Sequence, residues 1–178
     1  MAVCKIDDYE VSPSDEFFFD TNVWMFLFAP LAGSKPYKQK MYSRLLKEIQ
    51  SRGAWIWINS LVVAEYINAV LRLDFKQWMS RNGYKNADYK HDFRPTSDYQ
   101  DSLYEVKAQV KNILRLCQRK SDNFHSISIG EIIDNMGTSC DFGDSMIADL
   151  CKSNKSIRLV TDDSDIVNSH QPFNVLTA

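Results

Sequence analysis

The sequence predicts an α/β domain with a mainly parallel central sheet, and two observations support this. Short continuous apolar runs recur along the chain, and two of them end at acidic residues. Segments with helical spacing of apolar residues lie between these runs. Continuous apolar runs are typical of strands buried on both faces of a parallel sheet. Alternation of such strands with helices is typical of parallel α/β folds.

The first half of the chain contains two predicted strands and three predicted helices. They are, in order, a strand at 17–20, a helix from Asn22, a helix at 37–52, a strand at 54–59 and a helix at 61–73. Gly53 is the expected stop of the second helix. Residues 54–59 (AWIWIN) are rich in β-branched and aromatic residues, which predicts a second buried strand. Ser60 is the expected cap of the helix that follows.

The second half begins with a segment of different character. Residues 74–97 are polar, basic and aromatic and include Gly83 and Pro95, so we expect an enlarged excursion from the core there. The elements expected after it are a helix at 98–119, a strand or short helix at 126–137, a helix from Asp141, a strand at 157–160 and a short strand at 174–176. Residues 1–15 are polar and are expected to form an N-terminal arm, which leaves 16–178 as a single domain.

Composition excludes several classes of protein. The chain has 178 residues, 44% hydrophobic and 25% charged, which predicts one globular domain with a core. The net charge is -2, so any contact with nucleic acid must come from local basic patches. Four cysteines without a CxxC pair, and no signal-peptide pattern, predict reduced thiols in a cytoplasmic protein. No apolar run approaches the roughly 18 residues of a membrane helix, and no glycine-rich nucleotide motif occurs.

Four acidic residues are expected to meet at one edge of the sheet. Asp20 ends the first strand, and Asp163 follows the strand at 157–160. In open parallel sheets, ligands bind beyond the carboxyl ends of the strands, where both acids would lie. Glu65 and Asp144 sit near the starts of two helices that can face this edge.

Each acid also has a purely structural interpretation. Asp20 can bind loop amides at the end of its strand, and Glu65 can join Asn68 and Arg72 in a solvated stripe. Asp141 and Asp144 fit an N-cap pair, and capping is the favoured interpretation for Asp141. Asp163 and Asp165 can cap a short helix in the same way.

If these acids converge, we expect the site to bind a cation. Two carboxylates about 4 Å apart repel by about 4 kcal/mol at an effective dielectric constant of 20. Such a cluster must share protons or bind a cation. Oxygen-only ligands favour Mg²⁺ or Mn²⁺, and the scattered His91, His125 and His170 give zinc little support.

Four segments together resemble a known family. They are FFFDTNVW (17–24), NSLVVAEYINAV (59–70), DFGDSMIADLC (141–151) and VTDDSDI (160–166). In this order, and over most of the chain, they resemble a PIN domain, more narrowly the VapC-like toxin ribonucleases. The resemblance implies a three-layer α/β/α sandwich and an endoribonuclease that hydrolyses RNA phosphodiester bonds with Mg²⁺ or Mn²⁺. It further implies the toxin of a type II toxin–antitoxin pair, with a cognate antitoxin as partner and a possible homodimer.

The resemblance also assigns roles to individual residues. The catalytic and metal-binding acids would be Asp20, Glu65, Asp144 and Asp163. The supporting residues would be Asn22, Ser60, Thr161, Asp141 and Asp165, while Asp162 falls on a variable position. The arm at 1–15 and the segment at 74–97 are additions to the usual pattern, and Ile166 stands where a Phe is common.

RNA would be held by basic residues in two groups. The candidates are Lys35, Lys38, Lys40 and Arg44 in one group and Arg81, Lys85, Lys90 and Arg94 in the other. The second group is interleaved with Trp78, Tyr84, Tyr89 and Phe93, and basic residues with aromatics suit single-stranded RNA. An ordinary solvated surface and a protein-binding surface are the alternatives.

Three other functions compete with this one. A phosphatase of the haloacid-dehalogenase type is disfavoured because position 22 is Asn where that fold needs a second acid. A non-catalytic PIN-like module that binds RNA or protein would not need the full set of acids. An RNA-processing nuclease outside any toxin–antitoxin pair would keep the acids and lack an antitoxin.

Overall fold

A computed structural model describes residues 3–29, 36–134, 136–137, 141–168 and 172–178 of the chain. Within them, six strands form one sheet: β1 (Val3–Lys5), β2 (Glu16–Phe19), β3 (Trp55–Ile58), β4 (Gln118–Arg119), β5 (Ile157–Val160) and β6 (Asn174–Thr177). The strand order is β1-β6-β5-β2-β3-β4, and every pairing is parallel. The predicted parallel sheet is therefore confirmed.

Helices fill the connections between the strands. The described residues contain α1 (Thr21–Phe28), α2 (Pro36–Arg52), α3 (Ser60–Arg81), α4 (Ser97–Leu116), α5 (Ile129–Asp134), α6 (Phe142–Ser153) and α7 (Ser164–Asn168). Gly53 follows α2 with φ of 73°, a left-handed conformation that ends the helix as predicted. None of the described helices is both long enough and apolar enough to span a bilayer.

The central strand β2 explains the opening apolar run of the sequence. Phe17, Phe18 and Phe19 are all completely buried. Successive side chains of a strand point to opposite faces, so both faces of the sheet must be covered at β2. The three-layer α/β/α arrangement is thus confirmed at the strand that precedes Asp20.

The order of the strands reverses at β2. The chain moves from β2 to β3 and β4 on one side, whereas β5, β6 and β1 lie on the other side. In parallel α/β sheets such a switch point opens a crevice at the carboxyl ends of the strands. The crevice here lies between the ends of β2 and β5, where Asp20 donates its backbone N–H to the carbonyl of Val160.

The predicted excursion at 74–97 is wrong for its first third. Helix α3 continues without a break to Arg81 because apolar side chains keep helical spacing through Phe75 and Trp78, and Trp78 is only 6% exposed.

The residue that caps the start of α3 also differs from the prediction. The side chain of Asn59, not Ser60, accepts from the backbone N–H of Val62.

The aromatic residues of this segment pack on one another. Phe93 is fully buried, and its ring centroid lies 5.3 Å from that of Trp78 and 5.5 Å from those of Phe75 and Tyr99. Trp78 and Phe93 are therefore part of the core, and they are not available to stack on RNA bases. The predicted role in base stacking is wrong for these two residues, because their rings are already packed against other aromatic side chains.

The remaining differences concern short elements at the sheet edge. Helix α4 ends at Leu116, before the predicted 119, because Gln118–Arg119 pairs with β3 as strand β4. The ambiguous segment at 126–137 contains helix α5. Strand β3 is buried mainly on one face, since Trp55 is 49% exposed.

Candidate functional site

The four predicted acids line one cavity of about 430 Å³ at the switch point. Asp20, Glu65, Asp144 and Asp163 all contribute to its wall. Thr21, Asn22, Met25, Phe26, Ala69 and Asp162 complete the lining. These residues come from four separate parts of the chain, and we call the space the acidic cavity.

Asp20 is the most buried member, only 6% exposed. It follows β2 and caps α1, so its Oδ1 accepts from the backbone N–H of Thr21 at 2.6 Å. Its Oδ2 accepts from Asn22 Nδ2 at 2.6 Å and from Thr161 Oγ1 at 2.7 Å. These three donors offset the cost of burying a carboxylate in an apolar stretch.

Asn22 and Thr161 also join the ends of β2 and β5. Asn22 Oδ1 accepts from the backbone N–H of Asp162 at 3.0 Å, and Asn22 Nδ2 reaches Thr161 Oγ1 at 3.2 Å. Thr161 Oγ1 accepts from the backbone N–H of Asp163 at 3.0 Å. The loops after the two strands are therefore held together around the Asp20 carboxylate.

Glu65 reaches the cavity from α3 through a contact that the sequence did not reveal. The hydroxyl of Thr21 donates to Glu65 Oε2 at 2.8 Å. The contact therefore fixes the position of one acid relative to the start of α1. No local pattern marks Thr21, because its partner lies on a different helix far along the chain.

Asp144 takes part in the cap of α6. Its backbone N–H donates to Asp141 Oδ1 at 3.0 Å, and its own Oδ2 accepts from the backbone N–H of Asp141 at 3.1 Å. This reciprocal pair is a capping box, which confirms the structural interpretation of Asp141. Asp144 combines that cap with a place in the acidic cavity.

Asp163 likewise lies at the start of a helix and lines the acidic cavity. Its Oδ1 accepts from the backbone N–H of Asp165 at 2.7 Å, at the first turn of α7. Asp165 itself is exposed and is not among the residues that line the acidic cavity. Ser60 also lies apart from the acidic cavity, with its hydroxyl donating to Asp122 Oδ2 at 2.9 Å.

Asp162 is a cavity residue to which sequence reasoning gave no role. It forms an ion pair with Lys38, and both side chains are largely buried. Tyr42 also donates its hydroxyl to Asp162 Oδ1 at 3.2 Å. The pair ties α2 to the end of β5, so the Lys38 ammonium is engaged at the cavity wall.

The other basic candidates have varied surroundings. Arg44 pairs with Asp7, and Arg81 pairs with Asp98. Arg94 lies over the ring of Tyr99, and Lys85 is exposed. Lys35 lies outside the described residues.

Burial raises the pKa of Asp20, Glu65 and Asp144, and neighbouring negative charges add to the rise. Burial raises the pKa of Asp20 to about 6, and the nearby charges of Glu65 and Asp163 add to the rise. Burial also raises the pKa of Asp144 to about 6, with further contributions from Asp141, Asp20 and Asp163. The pKa of Glu65 is raised by burial first and then by Asp141 and Asp144. The cavity therefore disfavours its own negative charge.

A hard divalent cation fits this chemistry. The donors are carboxylate, amide and hydroxyl oxygens, which Mg²⁺ and Mn²⁺ prefer. A cation would offset the cost of burying these carboxylates and the repulsion among them, which together raise the pKa values. Within the described ranges, however, no three His, Cys, Asp or Glu side chains form a ready-made metal site. The donor atoms are therefore of the type that these ions prefer, but the side chains would have to move closer together to coordinate one.

The raised pKa values predict how stability depends on pH in the absence of metal. Between the ordinary carboxyl pKa and about 6, folded Asp20 holds its proton more strongly than the unfolded chain does. The free energy of unfolding therefore falls as pH rises, by up to about 2–3 kcal/mol for this group. Asp20→Asn should remove that contribution, so the variant should gain stability relative to wild type as pH increases from about 4 to 7.

Urea unfolding in EDTA across this pH range measures the effect. Asp149→Asn, on α6 and outside the cavity lining, should keep the wild-type slope. Identical slopes for Asp20→Asn and wild type would contradict the prediction.

Comparison with known proteins identifies the family of the chain. The PIN domain family model matches residues 17–169. No curated protein and no solved structure matches.

Proposed function

The chain belongs to the PIN domain family, and on that premise we propose that it is an endoribonuclease that hydrolyses RNA phosphodiester bonds with Mg²⁺ or Mn²⁺. PIN domains are in general metal-dependent nucleases. One observation carries the proposal for this chain: four acids from four separate parts of the chain line one cavity at the switch point of the sheet. That convergence is costly without a catalytic or binding purpose, because the carboxylates are partly removed from water and also repel one another.

The acidic residues would hold the metal, and Asp20 and Asp163 are the proposed direct ligands. When bound, the ion would supply a lowered pKa for water and charge stabilisation for the phosphoryl group and the leaving 3′ oxygen. Asp144 would bind directly or through water. Asn22 and Thr161 fix the Asp20 carboxylate through hydrogen bonds to its Oδ2, as supporting residues of metal sites do.

Glu65 is proposed to orient the attacking water or to accept its proton. Its raised pKa makes it a better proton acceptor than an ordinary glutamate. The hydroxyl of Thr21 holds Oε2, so the carboxylate has a defined position toward the cavity. Lys38 neutralises Asp162 in the same wall, which lowers the repulsion that a polyanionic substrate would meet.

Cleavage of RNA by the full chain tests the proposal. We expect hydrolysis that disappears in EDTA and returns with Mn²⁺ or Mg²⁺. Hydrolysis that EDTA leaves unaffected would contradict the metal mechanism. An absence of hydrolysis, together with an absence of heat in a calorimetric titration with Mn²⁺, would favour the non-catalytic binding module.

We further propose that the chain is the toxin of a type II pair and acts in the cytoplasm with a protein antitoxin. The support is the resemblance of the four motifs to VapC-like ribonucleases. Induced expression should arrest growth, and a small open reading frame for a DNA-binding antitoxin should lie beside the gene. Normal growth and no such neighbour would favour an RNA-processing role. The homodimer stays a prediction.

A further inference from the structure

A second cavity, of about 560 Å³, lies at the same edge of the sheet as the acidic cavity. Its walls come from the residues that follow β3 and β4, the first turns of α3 and the end of α4. We call it the β3–β4 cavity. It shares only helix α3 with the acidic cavity.

The walls of the β3–β4 cavity are mainly apolar. Val63, Ile67 and Leu114 provide the aliphatic surface. Leu114 is 39% exposed although it is a large apolar residue, so this surface is open to solvent. Cavities of this size, with apolar walls and a few polar groups, are typical of sites for small organic groups.

A buried amide provides one of these polar groups. Asn59 lines the cavity and is 4% exposed. Its Oδ1 accepts from Val62 as the cap of α3, but its Nδ2 has no hydrogen-bond partner among the described residues. A buried amide without a partner is costly, so an acceptor on a ligand would stabilise it.

Two positively charged side chains lie at the rim of the cavity. Arg119 and Lys120 both line it, and neither makes an ion pair within the described part of the chain. Lys120 Nζ lies 4.7 Å from the centroid of the Trp57 ring. Asp122 is the one acid in the lining, and it accepts from the hydroxyl of Ser60. The rim is therefore suited to an anionic ligand with an apolar body.

The two cavities lie on opposite sides of the first turns of α3. Ala64 and Ile67 line the β3–β4 cavity, while Glu65 and Ala69 line the acidic cavity. A helix with its side chains is about 10–12 Å across, so a polynucleotide segment that passes over the start of α3 can reach from one cavity to the other. A nucleotide combines a flat base, hydrogen-bond acceptors on its edge and a phosphate.

We propose that the β3–β4 cavity binds one nucleotide of the RNA substrate and reads its base. The base lies against Val63, Ile67 and Leu114, as bases do on apolar and aromatic surfaces. Asn59 Nδ2 donates to a carbonyl on the edge of the base, and Arg119 and Lys120 bind the phosphate. The inference rests on the proposed function and deepens it, because it places a base-reading subsite across α3 from the acids.

Binding of the four nucleoside 5′-monophosphates to the full chain tests the subsite directly. The measurement is made in EDTA by saturation-transfer NMR, so it requires neither metal nor cleavage. Ala64→Glu adds bulk and negative charge to the cavity wall and should weaken binding about tenfold or more. Ala108→Glu makes the same change at an exposed position of α4 outside the cavity and should leave binding unchanged. No binding by wild type, or equal binding by Ala64→Glu, overturns the proposal.

Asn59→Asp tests the reading of the base. Asp is as good a helix cap as Asn, so α3 should remain intact, which thermal unfolding verifies. The substitution replaces an amide donor by an acceptor. Preference should move from UMP, whose base carries two carbonyls and no amine, toward AMP, whose base carries an amine and no carbonyl. An unchanged preference overturns the assigned role of Asn59.

The outcome is separable from that of the proposed function. Nucleotide binding that Ala64→Glu abolishes, in a chain that does not cleave RNA, would refute the nuclease and keep the subsite. RNA cleavage with unchanged kcat and KM in Ala64→Glu would keep the nuclease and overturn the subsite. We expect Ala64→Glu to raise KM for RNA with little change in kcat, because the subsite binds substrate away from the reacting bond.

Discussion

Asp20→Asn is expected to lower the rate of metal-dependent RNA cleavage by about 100-fold or more. The substitution removes the negative charge of the proposed ligand that is most deeply buried and most fully hydrogen-bonded. The fold should persist because Asn is also a strong helix N-cap, so the bond from the Thr21 N–H can remain. Initial rates with a labelled RNA at saturating Mn²⁺ provide the measurement.

Asp149→Asn is the matched control for that experiment. It makes the same chemical change on α6, outside the lining of the acidic cavity, and should cleave at the wild-type rate. Calorimetric titration with Mn²⁺ should show heat for this control and a strongly reduced heat for Asp20→Asn. Full cleavage activity in Asp20→Asn would show that the acidic cavity is not the catalytic centre.

Phe18→Ala is expected to lower the free energy of unfolding by about 3–5 kcal/mol. Phe18 is completely buried in the central strand, with Leu159 and Trp57 as its neighbours in the register of β5 and β3. Truncation removes a large apolar surface and leaves a void that the surrounding sheet and helices cannot fill. The loss is a large share of the roughly 5–15 kcal/mol that stabilises a typical domain.

Urea unfolding measures that change against a control of the same chemistry. Phe124→Ala removes the same side chain at a position that is 57% exposed, and should change stability by less than about 0.5 kcal/mol. Equal losses in both variants would contradict the central position of β2 in the core.

Local sequence patterns predicted the acidic cavity only in part. Asp20 and Asp163 follow strands that composition alone predicts, and parallel strands bring their carboxyl ends to one edge. The proximity of these two acids was therefore predictable from the sequence. The hydrogen bond from Thr21 to Glu65 and the ion pair of Lys38 with Asp162 were not, because each joins residues that no local spacing relates.

The segment at 74–97 shows the opposite case. Its polar and basic composition predicted an excursion with aromatic residues free to bind RNA. The structure buries Trp78 and Phe93 against Phe75 and Tyr99 and extends α3 to Arg81. Composition averages over a segment, whereas burial is decided for each side chain by what packs against it.

The sequence by itself determined the α/β class, the central buried strand and the acids at its end, since strand burial and helix periodicity are local properties of the chain. The tertiary structure alone decided that Ser60 lies away from the acids and that a second cavity with a basic rim lies across α3 from the acidic one. These features depend on contacts between distant segments, which are fixed only when the sheet and its helices pack together.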